Sequence, residues 1–499
     1  MNAMGRVLSG LNGRKLAFGV VYAFLTAANP THSQVAECRI EIRLPDAHFG
    51  DSLFFTEFYG ENQFVLDTVR YEGGGLVSFS CPSRDKPGRY SVVLQEDKNV
   101  DFLFSGSSVS MTIRSGPLPA SVTIEEGEES KLMYDYMVFM DGMRDKRAPY
   151  DAVLSSDSTS PEEKNNAEES ILALGEQVLA HQDVIMSEHP TSLMALYLKM
   201  VHDVEHPTAP AGVLNPDLWV AEEYRRRFWE RVDFSNPAVV RDPIITMMMN
   251  YYFQSVLPTM PDMVYSEATS LIARATDSSV KRYLIEYFIL EYLNPDVVCM
   301  DKVFVNIFDY HDGSGDLDWM PEVNREEFRR LSAALKPNLC GASLPDLRLQ
   351  SPSGDWRALS DIDRDFRLVV IWDSECEHCV EEMETLRTMQ DVLASLDVGI
   401  YAVGYDFHPE GWRKVLSEHD WDFAWHVSDV PWMQNQAAQD SLLLNGLTNR
   451  ESLDFREYLD IRTTPKMYLL DANNKILVKG MGAEAVPDLV RARVQGAGR

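Results

Sequence analysis

Apolar and polar side chains alternate along the chain soon after residue 35. Cys38, Ile40, Ile42 and Leu44 fall on one side and Arg39, Glu41 and Arg43 on the other, the period of a half-buried strand. Short runs of similar character follow at Ser52–Phe58, Phe64–Arg70, Leu76–Cys81, Tyr90–Leu94, Val100–Phe104 and Val109–Ile113. Gly73-Gly74-Gly75, Pro87-Gly88 and Gly106-Ser107-Ser108 punctuate them as turns. Strands this short and closely spaced predict an all-β sandwich or barrel over residues 35–125. The period then lengthens, and residues 126–337 read as all-α. Ser160-Pro161-Glu162-Glu163 is a capping box with proline at the first helical position. The helix it opens sets Ile171, Leu174 and Val178 on one face. Asp277-Ser278 starts another helix, carrying Val280, Leu284, Tyr287 and Phe288 and ended by Asn294-Pro295. Met247-Met248-Met249 reads as helix core.

From residue 338 the pattern changes again. Leu368-Val369-Val370-Ile371-Trp372 is a continuous apolar run, as a strand buried on both faces requires. A helix with Met383, Leu386, Met389 and Leu393 follows, then a second buried strand at Val398–Val403 and a helix through Trp412, Val415 and Leu416. A hairpin comes next, with strands Lys466–Leu470 and Lys475–Lys479 around a turn at Asp471–Asn474, and a last helix begins near Pro487. Residues 338–499 are therefore predicted to be α/β, with the sheet between helices.

Composition adds three constraints. The formal net charge of -31 over 499 residues argues against nucleic acid as a partner, because phosphate recognition needs clustered Lys and Arg. At the N-terminus, Arg14 and Lys15 precede an apolar run from Leu16 to Leu25, with small and polar residues after it. That is the layout of a secretory signal over residues 1–34, and the run is shorter than the roughly 20 apolar residues of a bilayer span. The six cysteines, Cys38, Cys81, Cys299, Cys340, Cys376 and Cys379, can form disulfides in an exported protein. Cys38 and Cys81 are candidates for a structural bridge. Cys299 and Cys340 read equally well as free buried thiols.

Cys376-Glu377-His378-Cys379 lies between the buried strand and its helix. Two cysteines so spaced at a helix start can close a small disulfide, and the unpaired N–H groups there favour a thiolate. The thiolate is the attacking species in disulfide exchange, so Cys376 is the candidate nucleophile and Cys379 the resolving thiol. Glu375 and Glu377 disfavour that thiolate, whereas a protonated His378 and the helix dipole favour it. The opposed signs leave the redox direction open. Without a second cysteine pair, no tetrahedral metal site is expected. Asp312, Ser314, Asp316 and Asp318 alternate like a calcium loop, but Leu317 and Val323 stand where the loop needs Gly and Glu, so the segment reads as a solvated loop.

With these residues in place, the segment from about 338 to 495 resembles the thioredoxin superfamily, and within it the periplasmic TlpA-like and ResA-like thiol–disulfide oxidoreductases. Gly341 through Pro345, Ile371-Trp372, the Cys376 and Cys379 pair and Thr464-Pro465 carry the resemblance. It implies a cis Pro465 packed beside the redox pair and a Thr464 backbone that hydrogen-bonds an extended substrate. Glu382 matches an acid that tunes the thiols and relays a proton in ResA-like members. Two departures stand out: Glu375 replaces a frequent Trp, and Val370 takes the place of the buried Asp of cytoplasmic thioredoxins. The resemblance implies periplasmic or cell-envelope location, no cofactor, and reduction rather than oxidation. The partners it implies are disulfide-containing client proteins and a thiol electron donor, a membrane-bound one among the candidates. Glu382, His378, Glu377 and Trp372 are candidate supporting residues, and Thr464 and Pro465 candidate substrate-binding residues. Two other classes compete. One is a cell-envelope binding or assembly protein using the thioredoxin-like part as a scaffold. The other is a thiol peroxidase, weakened because Asp373 stands where a Thr would be expected.

Overall fold

The structure is a computed structural model that describes residues 38–497 apart from 47–51, 74, 95–98, 203, 296, 407, 430–434, 460 and 462. The secretory-signal reading of residues 1–34 lies outside the described residues. The N-terminal strands are β1 (Arg39–Arg43), β2 (Ser52–Tyr59), β3 (Asn62–Arg70), β4 (Leu76–Ser80), β5 (Gly88–Val93), β6 (Asn99–Phe104), β7 (Val109–Ile113) and β8 (Val122–Glu126). They form two sheets, ordered β4-β1-β7-β8 and β3-β2-β5-β6. Phe55 of β2 meets Phe79 of β4 with ring centroids 5.2 Å apart, so the two sheets face each other as a sandwich. The alternation in β1 holds, with Ile40 and Ile42 fully buried and Arg39 and Arg43 exposed. A Cys38–Cys81 disulfide joins the start of β1 to the end of β4. Strand β8 escaped the sequence pattern because its acids leave it with no fully buried residue.

The long helices Glu128–Ser155 and Pro161–Glu188 begin the helical region. Ser160 caps the second through the expected reciprocal box: its hydroxyl accepts the Glu163 amide, and the Glu163 carboxylate accepts the Ser160 amide. Asp277 caps the helix Ser278–Glu291, whose Val280, Leu284 and Phe288 are fully buried. Met248 and Met249 are core residues. The buried residues of the sandwich and of these helices form one continuous apolar cluster, from Ile40 to Met320.

One expectation is corrected and one open question closes. Asp312 and Ser314 belong to the helix Asp301–Ser314, and the acids of that stretch are paired, Asp318 from an exposed position. Asp312 binds Arg329 at 2.7 Å, Asp316 binds Lys281 at 2.6 Å and His311 at 2.9 Å, and Asp318 binds Arg325 at 3.1 Å. Basic side chains from three other helical positions supply the charge that a cation would have supplied. Of the two readings left open for Cys299 and Cys340, the structure has the disulfide, which ties the helical region to the start of the last domain.

The C-terminal strands are β9 (Arg348–Gln350), β10 (Trp356–Ala358), β11 (Phe366–Trp372), β12 (Val398–Gly404), β13 (Trp425–Ser428), β14 (Lys466–Asp471) and β15 (Ile476–Lys479). They form one sheet ordered β10-β9-β13-β12-β11-β14-β15. Strands β11, β12 and β13 run parallel, and β14 and β15 are antiparallel additions beside β11. Leu368, Val370 and Trp372 enter the core on one face of β11, and Val369 and Ile371 the core on the other. Helix Glu377–Thr388 follows β11 and stops at Met389. The single helix read through Leu393 is thus two, the second being Gln390–Ser395. This central arrangement, extended by the β9–β10 hairpin, is a thioredoxin-like fold.

Candidate active site

Strand β11 delivers the chain to the site, and its neighbours fix where it ends. Ile371 pairs with Lys466 of β14, so Pro465 falls opposite Trp372, just short of the turn that leads to Cys376. Cys376 is the N-cap of helix Glu377–Thr388, and its sulfur accepts the Cys379 amide at 3.2 Å. A helix start supplies this donor because its first N–H groups have no partner within the helix. The Cys376 and Cys379 Cα atoms are 5.2 Å apart and the two sulfurs form a disulfide. Cys379 is fully buried while Cys376 is half-buried, an asymmetry that leaves Cys376 the approachable sulfur.

Thr464–Pro465 is a cis peptide, in line with what the resemblance implied. The Thr464 carbonyl lies 3.7 Å from Cys376 Sγ, which brings the dipeptide and the redox pair together. The remaining candidates divide. Glu377 and His378 are exposed on the first turn. His378 faces Glu381 at 3.4 Å and Glu382 at 3.8 Å, its neighbours one turn on. Glu382 is half-buried, and its carboxylate accepts the Ala483 amide at 2.6 Å, which ties the redox helix to the turn before the last helix. Trp372 is fully buried and edge-on to Trp421 at 5.4 Å, so it supports the site from the core and offers substrate no surface. Val370 is likewise buried, with an apolar side chain beneath the motif. Among the described residues, no group of three His, Cys, Asp or Glu side chains is placed to hold a metal ion.

Two residues beside the pair were missed by sequence reasoning. Ser374, two residues before Cys376, donates its amide to Asp406 Oδ1 at 3.2 Å, and its hydroxyl bonds the same oxygen. Burial pushes the Asp406 carboxyl upward, with the Ser374 hydrogen bonds opposing. The available signal was an acid two residues beyond a strand buried on both faces.

The fold and site together define a thioredoxin-like domain. Solved structures similar to the chain include a thioredoxin-like protein from Bacteroides caccae, 17% identical, covering 57% of this chain and 97% of its own, with a TM-score of 0.40. A thiol:disulfide interchange protein from a Bacteroides species is 23% identical over 32% of this chain and 91% of its own, at 0.25. The thioredoxin domain of a Bacteroides vulgatus thiol–disulfide oxidoreductase is 22% identical over 31% and 97%, at 0.25. No family model and no curated protein matches the chain. The site's own geometry, rather than these likenesses, bears on the chemistry.

Proposed function

We propose that the chain is an extracytoplasmic thiol–disulfide oxidoreductase that reduces disulfides of client proteins. One observation carries the reading: an approachable Cys376 sulfur at a helix N-terminus, bonded to buried Cys379 and 3.7 Å from the Thr464 carbonyl beside cis Pro465. In the reduced pair, the Cys376 thiolate attacks one sulfur of the client disulfide. A Cys376–client bond forms, and the other client sulfur leaves as a thiolate that takes a proton. Cys379, deprotonated, then attacks Cys376 Sγ, closing the internal disulfide and releasing the second client thiolate. Two electrons pass from the pair to the client, and a partner dithiol must return them. The extended client segment would lie along the Thr464 backbone. Export rests on the apolar run at 16–25, and the reducing direction on the resemblance to TlpA-like and ResA-like proteins.

The test uses insulin as the disulfide substrate with dithiothreitol as electron source. Cys376→Ser is expected to lower the rate to that of dithiothreitol alone, and pre-reduced Cys379→Ala, freed of dithiothreitol before insulin is added, to accumulate a mixed disulfide visible on non-reducing gels. Turnover of the Cys376→Ser variant at the parent rate would remove the assignment.

A further inference from the structure

The exchange scheme leaves Ser374 and Asp406 unused, yet Ser374 lies two residues before the nucleophile and Asp406 holds Ser374. The end of β11 is held by the Tyr405 amide, which donates to the Trp372 carbonyl at 2.7 Å. Beyond it, the turn Asp373–Cys376 closes on itself: the Cys376 amide donates to the Asp373 carbonyl at 3.2 Å, and the Glu375 amide to Asp373 Oδ1 at 2.8 Å. Asp406 ties this turn to the neighbouring strand, because its Oδ1 accepts both the amide and the hydroxyl of Ser374. Asp406 is 4% exposed, and its Oδ2 is buried with no hydrogen-bond partner among the described residues.

The residues around Asp406 are held as firmly. Arg456 donates to the carbonyls of Tyr405 at 2.8 Å and Asp406 at 3.1 Å. It also pairs with buried Asp429 at 3.1 Å and lies 4.2 Å from the centre of the Tyr405 ring. The helix Pro409–Glu418 closes over the pair at Gly411, where a Cβ would stand 2.8 Å from Ser374 Oγ and 3.6 Å from Asp406 Oδ1. A buried carboxylate with one unmatched oxygen is a costly way to secure stability alone.

We propose that Asp406 is a positioning residue for the redox pair: through Ser374 it holds the turn that presents Cys376 at the helix N-terminus, and so sets how readily that thiol reacts. This deepens the exchange reading, on which its functional meaning rests. The holding is done by Oδ1 as an acceptor, so asparagine can replace aspartate, whereas alanine cannot.

The test needs no client. The full chain is reduced with dithiothreitol, and alkylation of Cys376 by iodoacetamide is followed by mass spectrometry across pH. Ser374→Ala and Asp406→Ala are expected to slow alkylation at pH 7 by about tenfold and to move the midpoint of the profile upward by about one pH unit, the equivalent shift. Asp406→Asn is expected to stay within about twofold of the parent, the rescue that positioning by an acceptor requires. Unchanged profiles in both alanine variants would overturn the proposal, as would an Asp406→Asn variant as slow as Asp406→Ala. Should Asp406→Ala not fold, Ser374→Ala decides the matter, since it removes one hydroxyl and leaves the carboxyl in place. Insulin reduction by the unsubstituted chain reads the exchange activity separately: its absence would sink that reading and leave the alkylation result standing.

Discussion

Glu384 ties the redox helix to the layer behind it by one carboxylate. Its Oε1 accepts the Trp421 indole N–H at 2.8 Å and lies 2.9 Å from His419 Nδ1, while Oε2 accepts from Arg387 at 2.7 Å. Trp421 in turn packs edge-on against Trp372 at the end of β11. Arg387 first, and the other donors after it, hold the Glu384 carboxyl down from 4.5 to about 2. The fold therefore favours the ionised form. Its contribution is complete above about 4.5 and drains away as pH falls towards 2. Glu384→Gln is expected to cost ~1 kcal/mol at neutral pH, a charged hydrogen-bond network discounted for its partial exposure. Urea midpoints measured at pH 7 and at pH 3 should show the gap between variant and parent shrinking at the lower value. A gap of equal size at both would mean that shape, not charge, matters at this position.

At the scale of elements, what could be read from sequence follows from how each strand is buried. β11 and β12 are covered on both faces and appear as unbroken apolar runs. β13 could not be read that way: Trp425-His426-Val427-Ser428 mixes characters, and only its last two residues are buried. The hairpin strands β9 and β10 are three residues each, too short for any period. The candidate site divides similarly. Cys376, Cys379 and Thr464-Pro465 were legible because the motif and its flanking strands are local. Ser374 and Asp406 were not, because their meeting depends on the register that sets Trp372 beside Gly404 across β11 and β12. That register also makes Gly404 a packing requirement, since a Cβ there would lie 2.7 Å from Trp412 Nε1. Gly404→Ala should push the helix Pro409–Glu418 off β12 and cost ~1–3 kcal/mol, the range for overpacking a tight core. Denaturant unfolding checks this, and Gly404→Ala with Trp412→Phe should recover part of the loss if the indole is the obstacle.

Across the whole molecule, apolar packing divides the described residues into two parts rather than three. The sandwich and the helices share one cluster, whereas the thioredoxin-like domain has its own core on each face of its sheet. Apart from Leu339, which packs against the first cluster, polar and covalent links join the two parts. Lys479 at the end of β15 pairs with Asp301 of the helical region, and donates to Asn338 at 2.9 Å. Asn338 donates to the Leu459 carbonyl at 2.8 Å, and the Cys299–Cys340 disulfide closes the junction. Shared apolar surface couples unfolding more strongly than such a junction, because burial is the dominant favourable term in folding. Calorimetry should therefore show two transitions, with the sandwich melting together with the helices. Phe288 and Leu469 are both fully buried, one in each part. Phe288→Ala should lower one transition and Leu469→Ala the other, each by a cavity cost of ~2–5 kcal/mol. A third transition assigned to the sandwich alone, or a Phe288→Ala shift confined to helix melting, would mean that the common cluster does not act as one core.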